Sequence, residues 1–213
     1  FASTDPTKGV RGITAFLVEK AFGVKVGKTE EKMGQRASNQ TEVHFENVRV
    51  PAANVLDREG AGFKVAMGTL DRTRTGVAAA AVGLARRALQ ESVAYARQRK
   101  QFGQPIAANQ AIQVKLANMA MKVDASRLLV WQAALKADRG ERPSRESAMA
   151  KCFAGDTAMD VTTEAVQIFG GNGYSKEYPV EKLMRDAKLM QIYEGTQEIQ
   201  RLVIAKEVIT KGE

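Results

Sequence analysis

Proline placement constrains the fold of this 213-residue chain more than any other feature. After Pro51, prolines occur only at 105, 143 and 179, and the stretches between them are rich in Ala, Leu, Met, Lys, Arg, Gln and Glu. These residue types favour helices, whereas a proline inside a helix breaks it. The chain from about residue 60 onward therefore predicts four or five helices arranged as an antiparallel bundle.

Apolar spacing supports these helices, because residues three or four apart share one helix face. One such face contains Ile112, Leu116, Met119, Val123 and Val130, and a second contains Val180, Leu183, Met184, Ala187 and Met190. Glycines and a proline at 139–144 and 170–173 predict helix ends. A helix predicted at 62–100 contains Gly68, Gly76 and Gly83. Each costs about 1 kcal/mol relative to Ala, so we expect another helix or a ligand to approach closely there.

The first fifty residues have a different pattern. Short apolar or alternating runs at 13–18 and 41–50 predict strands, and glycines at 23, 27 and 34 predict turns. Two or three strands cannot form a sheet with a core of its own. They either pair with strands outside this chain or form an appendage to the bundle. We therefore predict a mainly α chain, with a partial β domain at 1–52 and a helical bundle domain at 53–213.

Composition excludes several classes of function. The net charge of +8 favours an anionic partner: nucleic acid, an acidic membrane surface or a phosphorylated small molecule. The basic residues are interleaved with acids, and no nucleic-acid-binding motif occurs, so nucleic acid is not expected. A single Cys152 cannot form an internal disulfide, and the single His44 argues against a histidine-based metal site. No apolar run approaches the roughly 20 residues of a membrane span.

Three segments are candidates for chemistry, each with a simpler structural alternative. The basic residues at 97–100 either cap a helix or bind an anion, with Phe102 as an apolar plate. The glycines at 170–173 either end a helix or allow a flat or phosphorylated ligand to approach the backbone. Glu194 precedes a glycine at a break in the helical pattern. A glutamate is usually a solvated surface group, but a buried one can act as a base toward a carbon acid.

Taken together and in order, the motifs of the chain resemble the C-terminal half of the acyl-CoA dehydrogenases. The matching motifs are MGQR at 33–36, VHFENVRVP at 43–51, GAGF at 60–63, LDRTR at 70–74, RKQFG at 99–103, QIFGG at 167–171, RDAK at 185–188 and IYEGTQEIQR at 192–201. The resemblance implies FAD-dependent oxidation of an acyl-CoA thioester to a trans-2-enoyl-CoA, with hydride transfer to flavin N5. It is closest in character to the medium-chain enzymes.

The resemblance also implies roles for individual residues. Glu194 corresponds to the base that removes the α-proton, and its backbone N–H to a donor for the thioester carbonyl. Some relatives instead carry the base at the position of Thr73. Asp71, Arg74 and Gly195 correspond to substrate-binding positions, and Thr196 and Gln197 to positions near the flavin diphosphate. The positions that bind the FAD of the neighbouring subunit are Arg99, Gln101, Phe102, Gln110, Gln167, Gly170 and Gly171.

Further expectations follow from the same resemblance. The enzyme would be a homotetramer built as a dimer of dimers, active in fatty-acid β-oxidation, and an electron-transfer flavoprotein would accept its electrons. It would reside in a bacterial cytoplasm or a mitochondrial matrix. Because family members are nearly twice as long, we expect this chain to lack part of the flavin site and to bind FAD weakly by itself. An oxidase of the same superfamily and a non-catalytic helical dimerisation module remain as alternatives.

Overall fold

A computed structural model describes residues 1–211, and they form two compact units. One unit contains Phe1–Lys32 and Arg36–Leu70, and the other contains Met33–Gln35 together with the chain from Asp71 onward. The elements form a mainly helical chain with a few short strands, as the sequence predicts.

The first unit contains two small antiparallel sheets. Strands β1 (Ala2–Ser3), β2 (Ile13–Phe16) and β5 (Val55–Leu56) lie in the order β1-β2-β5. Strand β3 (Lys25–Thr29) pairs with β4 (Thr41–His44), and the register shifts between Val26 and Thr29. Thr14 is completely buried at the centre of β2, where its hydroxyl accepts a hydrogen bond from the Gly60 amide.

The predicted strand at 41–50 is too long. Strand β4 ends at His44, which pairs with Lys25, the first residue of β3. No strand residue of β3 remains to pair beyond that position, and Asn47 adopts a positive φ of 52° that interrupts extended backbone. The prediction at 13–18 is confirmed by β2.

The remaining chain forms the helical bundle. Its five helices are α1 (Gly62–Gln98), α2 (Gln110–Asp138), α3 (Ser144–Phe169), α4 (Val180–Leu189) and α5 (Gln197–Lys211). A two-stranded hairpin, β6 (Lys100–Gln101) with β7 (Gln104–Pro105), joins α1 to α2. Both predicted interruptions are helix ends, because α2 stops at Asp138 and α3 stops at Phe169.

Helix α3 is the centre of the bundle and packs against α2, α4 and α5. Its core face consists largely of alanines, which permit close helix packing, and the same buried cluster includes the alanine face of α1. The predicted apolar face of α4 is confirmed, since Val180, Leu183 and Ala187 are buried. No helix of the described chain approaches the α1 glycines closely, since a Cβ added at Gly68, Gly76 or Gly83 would meet no atom within 4 Å. Helix packing within this chain is therefore wrong as the reason for these glycines, and the approach of a ligand stays a prediction.

Candidate active site

Glu194 lies in the turn between α4 and α5, residues 190–196, which we call the Glu194 loop. Glu194 and Gly195 both have left-handed backbone, with φ of 53° and 96°. Residues other than glycine rarely adopt this conformation, which costs of the order of 1 kcal/mol and persists only where the surroundings impose it. The contacts around the loop supply that constraint.

Helix α1 holds both ends of Glu194. Thr73 Oγ1 donates a 2.8 Å hydrogen bond to the carboxylate oxygen Oε2. One residue further on, Arg74 Nε donates a 3.1 Å hydrogen bond to the backbone carbonyl of Glu194. The carboxylate is therefore oriented by a hydroxyl while the main chain is fixed by a buried guanidinium, and the Glu194 residue as a whole is only half-buried.

Two further buried side chains hold the loop from the bundle interior. Gln200 Nε2 donates to the carbonyl oxygens of Glu194 at 3.1 Å and Gly195 at 3.0 Å. Lys151 Nζ donates to the Gly195 carbonyl at 2.7 Å and to Gln197 Oε1 at 3.1 Å. Neither Gln200 nor Lys151 is predicted from the sequence. A lysine or a glutamine within a helix gives no signal in the sequence that distinguishes a buried donor from a solvated one.

The same contacts determine where the loop amides point. In a trans peptide the C=O and N–H point in opposite directions. Because the carbonyls of Glu194 and Gly195 are bonded inward, the N–H groups of Gly195 and Thr196 point away from those donors. Within residues 1–211, no hydrogen bond is donated by the backbone N–H of Glu194 or Thr196, whereas the N–H of Gly195 closes the turn that precedes it. The loop therefore presents two free backbone donors, those of Glu194 and Thr196.

Asp71 joins α1 to the start of α3. Its buried carboxylate oxygen Oδ2 accepts hydrogen bonds from Arg142 Nε at 2.7 Å and Ser144 Oγ at 2.8 Å. Arg74 Nη1 lies 3.6 Å from the other carboxylate oxygen. The side chain of Arg142 is 73% exposed. Asp71 binds its Nε, and the rest of the charged side chain is open to solvent. From the sequence, residues 139–144 are predicted only as a helix break, and Arg142 is not predicted as a site residue.

Burial also affects the charges around the loop. It lowers the pKa of Arg74, and the negative charges of Asp71 and Glu194 oppose that effect. Burial likewise lowers the pKa of Lys151. Two desolvated cations thus lie behind the loop, on the side opposite its free amides.

The second predicted group of residues lies around the β6–β7 hairpin, and we call it the hairpin site. Its members are exposed: Arg99, Gln101, Phe102, Gln110, Gln167, Gly170 and Gly171. An aromatic stack joins the end of α1 to the glycine turn at 170–173. The ring of Tyr95, near the end of α1, stacks on the ring of Phe169 with 4.0 Å between the ring centroids. Asn172 Nδ2 donates to the Tyr95 hydroxyl at 2.9 Å and fixes the glycine turn to α1.

Gln197 has surroundings different from those of the hairpin site. It is buried, and both ends of its amide bond inside the protein. Oε1 accepts from Lys151, while Nε2 donates to the Cys152 carbonyl at 2.6 Å and to Asp156 Oδ1 at 3.0 Å. Its side chain therefore anchors α5 to α3, a role that the resemblance did not indicate. Thr196, one residue earlier, is partly exposed.

Two other kinds of site are not found in the part of the chain that the structure describes. Residues 1–211 contain no cluster of three or more His, Cys, Asp or Glu side chains that could hold a metal ion. No described helix combines the length and apolar character needed to cross a membrane.

Comparison with known proteins decides the family. Residues 60–209 match the acyl-CoA dehydrogenase, C-terminal domain family. An acyl-CoA dehydrogenase of Bacillus subtilis is 54% identical over 210 residues, which are 98% of this chain and 55% of that protein. This chain belongs to the acyl-CoA dehydrogenase family. It spans about half the length of the curated relatives that it matches.

Solved structures agree with this acyl-CoA dehydrogenase assignment. The butyryl-CoA dehydrogenase of Megasphaera elsdenii superposes with a TM-score of 0.97 at 52% identity, over 98% of this chain and 55% of that one. A chain in the solved structure of the electron transferring flavoprotein of Acidaminococcus fermentans gives a TM-score of 0.97 at 50% identity, with the same coverage.

The hairpin site fits the FAD that the acyl-CoA dehydrogenase family implies. Phe102 is 97% exposed on a left-handed turn residue, so its ring packs against nothing in this chain and is available to a flat ligand. A Cβ added at Gly170 or Gly171 would meet no atom within 4 Å, so a ligand can approach the backbone closely. Arg99 and Gln101 provide exposed polar groups for a diphosphate.

Proposed function

We propose that this protein oxidises an acyl-CoA thioester at its α and β carbons to a trans-2-enoyl-CoA in a FAD-dependent reaction, with Glu194 as the base. The observation that carries the proposal is the geometry of Glu194. Its carboxylate is oriented by Thr73, and the loop that carries it offers the free backbone N–H groups of Glu194 and Thr196 while buried donors hold it in place.

Removal of an α-proton places negative charge on the thioester oxygen. Backbone N–H groups aimed at that oxygen stabilise the charge without reorganising, because the loop is already fixed. The free N–H of Glu194 is the donor that we assign to this oxygen, and Gly195 leaves room for the thioester beside it. The Glu194 carboxylate takes the α-proton, while Thr73 keeps the carboxylate directed at the reacting carbon.

The CoA portion carries phosphates and therefore needs a cationic site. Arg142 provides an exposed guanidinium that buried Asp71 orients through Nε. Because the one Asp71 carboxylate pairs with both Arg142 and Arg74, net positive charge remains for a phosphate. Asp71 and Arg74 then act on the substrate indirectly: Asp71 orients Arg142, and Arg74 supports the Glu194 loop.

FAD, when bound, supplies the acceptor for the hydride that leaves the β-carbon. The hairpin site of one subunit and Thr196 of another are the residues that we assign to FAD, so each complete site needs two chains. An apolar stripe along α2 supports self-association as a dimer of dimers. Val114, Met121, Leu128 and Leu135 recur every seven residues and are each more than half exposed. The similarity to a chain in an electron transferring flavoprotein structure supports such a flavoprotein as the electron acceptor.

The decisive experiment uses the enzyme expressed from the full-length gene and saturated with FAD. Flavin bleaching is followed with a panel of acyl-CoA thioesters, including butyryl-CoA because a similar solved structure carries that name. Wild-type enzyme should bleach with at least one thioester. Glu194→Gln should retain FAD but lose bleaching and α-proton exchange, whereas Glu198→Gln, on an exposed neighbour, should keep both.

Two outcomes would contradict the proposal. Full activity of Glu194→Gln would remove Glu194 as the base, and the absence of bleaching with every thioester would remove acyl-CoA as the substrate. Hydrogen peroxide formed in step with turnover would instead indicate the oxidase alternative.

A further inference from the structure

Lys151 is a completely buried lysine without a salt bridge. Its side chain extends from α3 into the bundle interior with 0% exposure. Within the described residues, no carboxylate oxygen lies within 4.0 Å of its Nζ, which bonds only to the neutral oxygens of Gly195 and Gln197. Burying a lysine in this way is costly, and a well-packed apolar side chain would be more stable. A buried ammonium of this kind is therefore a candidate for a role other than stability.

The position of Lys151 relates it to the Glu194 loop. Lys151 and Gly155 lie on one face of α3, since residues four apart share a face, and Asp156 follows Gly155 directly. The loop and the first residue of α5 dock on this face. A Cβ at Gly155 would lie 2.8 Å from the Met190 carbonyl, and Asp156 accepts a hydrogen bond from Gln191 at 2.7 Å. Lys151 is the cation of this docking face, and it lies beneath Gly195.

The charge of Lys151 is coupled to the loop that it supports. Burial lowers the pKa of Lys151, while the negative charges of Asp156 and Glu194 oppose that effect and Arg74 adds to it. Cys152 also opposes the effect of burial, and Glu194 is the smallest of these influences, so the direct link between Lys151 and the loop is the hydrogen bond to the Gly195 carbonyl. Its hydrogen bond to Gly195 fixes the peptide whose N–H belongs to Thr196.

We propose that Lys151 is a positioning residue for Glu194: its buried ammonium binds the Gly195 carbonyl, holds the left-handed turn closed and thereby aims both the carboxylate and the free amides of the loop. This inference rests on the proposed function. The proposed positioning role depends on the charge and the N–H donors of Lys151 and not on the volume of its side chain.

The test compares two substitutions of Lys151 with a control in the FAD-loaded full-length enzyme. Lys151→Met keeps an unbranched side chain of similar length but removes the charge and the donors, whereas Lys151→Arg keeps both. Thr162→Val is the control, because Thr162 is also completely buried on α3 and bonds only within its own helix, to the carbonyls of Ala158 and Met159. Bound FAD, Tm, KM, kcat and the rate of α-proton exchange are measured for each.

Lys151→Met should retain FAD and change KM by less than about threefold, yet lose about 10- to 100-fold in kcat and α-proton exchange, as expected when a charged hydrogen bond is removed. Lys151→Arg should recover part of that loss. Thr162→Val should change Tm while its kcat per bound FAD stays within about twofold, because a lost hydroxyl bond within the helix leaves the loop in place.

Wild-type kcat per bound FAD in Lys151→Met would overturn the proposal. If Lys151→Met yields no FAD-containing protein, Lys151→Gln decides, because its amide removes the charge but stays polar: a kcat lowered at unchanged FAD content, with Lys151→Arg closer to wild type, supports the role, and a wild-type kcat in Lys151→Gln overturns it. Glu194→Gln separates this test from the proposed function. If Glu194→Gln is inactive and Lys151→Met has wild-type activity, only the positioning role of Lys151 is rejected. If Glu194→Gln is active, the proposal that Glu194 is the base is rejected.

Discussion

Thr73 and Glu194 are 121 positions apart in the sequence, yet the hydroxyl of one donates a 2.8 Å hydrogen bond to the carboxylate of the other. By resemblance, Thr73 corresponds to a position where some members of the family are expected to carry their base, and Glu194 is the residue that we propose as the base of this chain. These two proposed positions for one function therefore lie within hydrogen-bonding distance of each other.

This contact gives a first prediction. Thr73→Val removes the donor without changing the shape of the side chain, so the carboxylate loses its fixed direction. We expect kcat to fall about tenfold, the effect of one hydrogen bond to a charged group. Steady-state kinetics with saturating acyl-CoA provide the measurement. Thr73→Ser should remain near wild type, as should Thr69→Val, whose hydroxyl bonds to the Val65 carbonyl of its own helix. A wild-type rate in Thr73→Val would show that the hydroxyl does not orient the base.

A second prediction concerns the docking face on α3. A Cβ at Gly155 would lie 2.8 Å from the Met190 carbonyl and 2.9 Å from Gln197 Nε2, and the carbonyl is backbone that cannot move aside alone. Gly155→Ala should therefore destabilise the fold by about 1–3 kcal/mol, as overpacking does. Thermal unfolding measures this loss, and kcat should fall with it because the loop is displaced.

Gly76→Ala is the matched control for Gly155→Ala. Gly76 is also inside a helix, but its added Cβ would meet no atom within 4 Å. Alanine there should stabilise the chain by up to about 1 kcal/mol through helix propensity. Equal effects of the two substitutions would contradict the close contact at Gly155.

Acid stability gives a third prediction. Burial alone would raise the pKa of Asp156, but hydrogen bonds from Gln197, Gln191 and Arg201 outweigh it, and the pKa lies below its ordinary value. The folded chain therefore favours the ionised form more than the unfolded chain does. This contribution is complete above the ordinary Asp pKa of about 3.9 and is lost as the pH falls through that value toward the lower folded pKa.

Asp156→Asn tests this contribution. The variant should unfold about 2–4 °C below wild type near pH 7, a modest shift because the group is partly exposed and screened. The difference should shrink as the pH falls below about 4. Asp124→Asn, on an exposed carboxylate paired with Arg127, should show little difference at either pH. A Tm difference for Asp156→Asn that does not depend on pH would contradict the electrostatic explanation.

The exposed ring of Phe102 gives a fourth prediction. Because the ring is 97% exposed, Phe102→Ser removes no packing within the chain and should leave its own thermal stability nearly unchanged. The FAD-loaded enzyme should nevertheless lose flavin several-fold faster on dilution, measured by flavin fluorescence. Lys100→Ala, two residues earlier in β6, should retain flavin. Wild-type retention in Phe102→Ser would remove the ring from the FAD site.

The helices could be predicted from the sequence because local signals define their ends. Proline and glycine mark the break between Asp138 and Ser144, and the apolar period of α4 matches its buried face. The end of β4 could not be predicted in the same way. Val48 and Val50 have strand-like spacing, but a strand also needs a partner, and β3 provides none beyond the pairing of Lys25 with His44.

The residues of the candidate site likewise differ in whether a local signal in the sequence predicts them. Glu194 could be found because the glycine that follows it interrupts a helical pattern, and Phe102 because it follows a basic cluster. Lys151, Gln200 and Arg142 carry no comparable local signal. What distinguishes them is burial or contact with residues more than forty positions away, apart from Gln200, whose short-range bonds depend on the left-handed turn at Glu194.

The donors that hold the Glu194 loop bind carbonyl oxygens, and every residue type has one. Arg74, Gln200 and Lys151 would therefore hold the same turn with any side chain at position 194 that tolerates left-handed backbone. The contacts that hold the Glu194 loop are thus independent of the proposed base. A carboxylate at position 73 of α1 would lie in the space that the Glu194 carboxylate occupies, because Thr73 is hydrogen-bonded to that carboxylate. A change in the position of the base during evolution would need no new fold, only two substitutions.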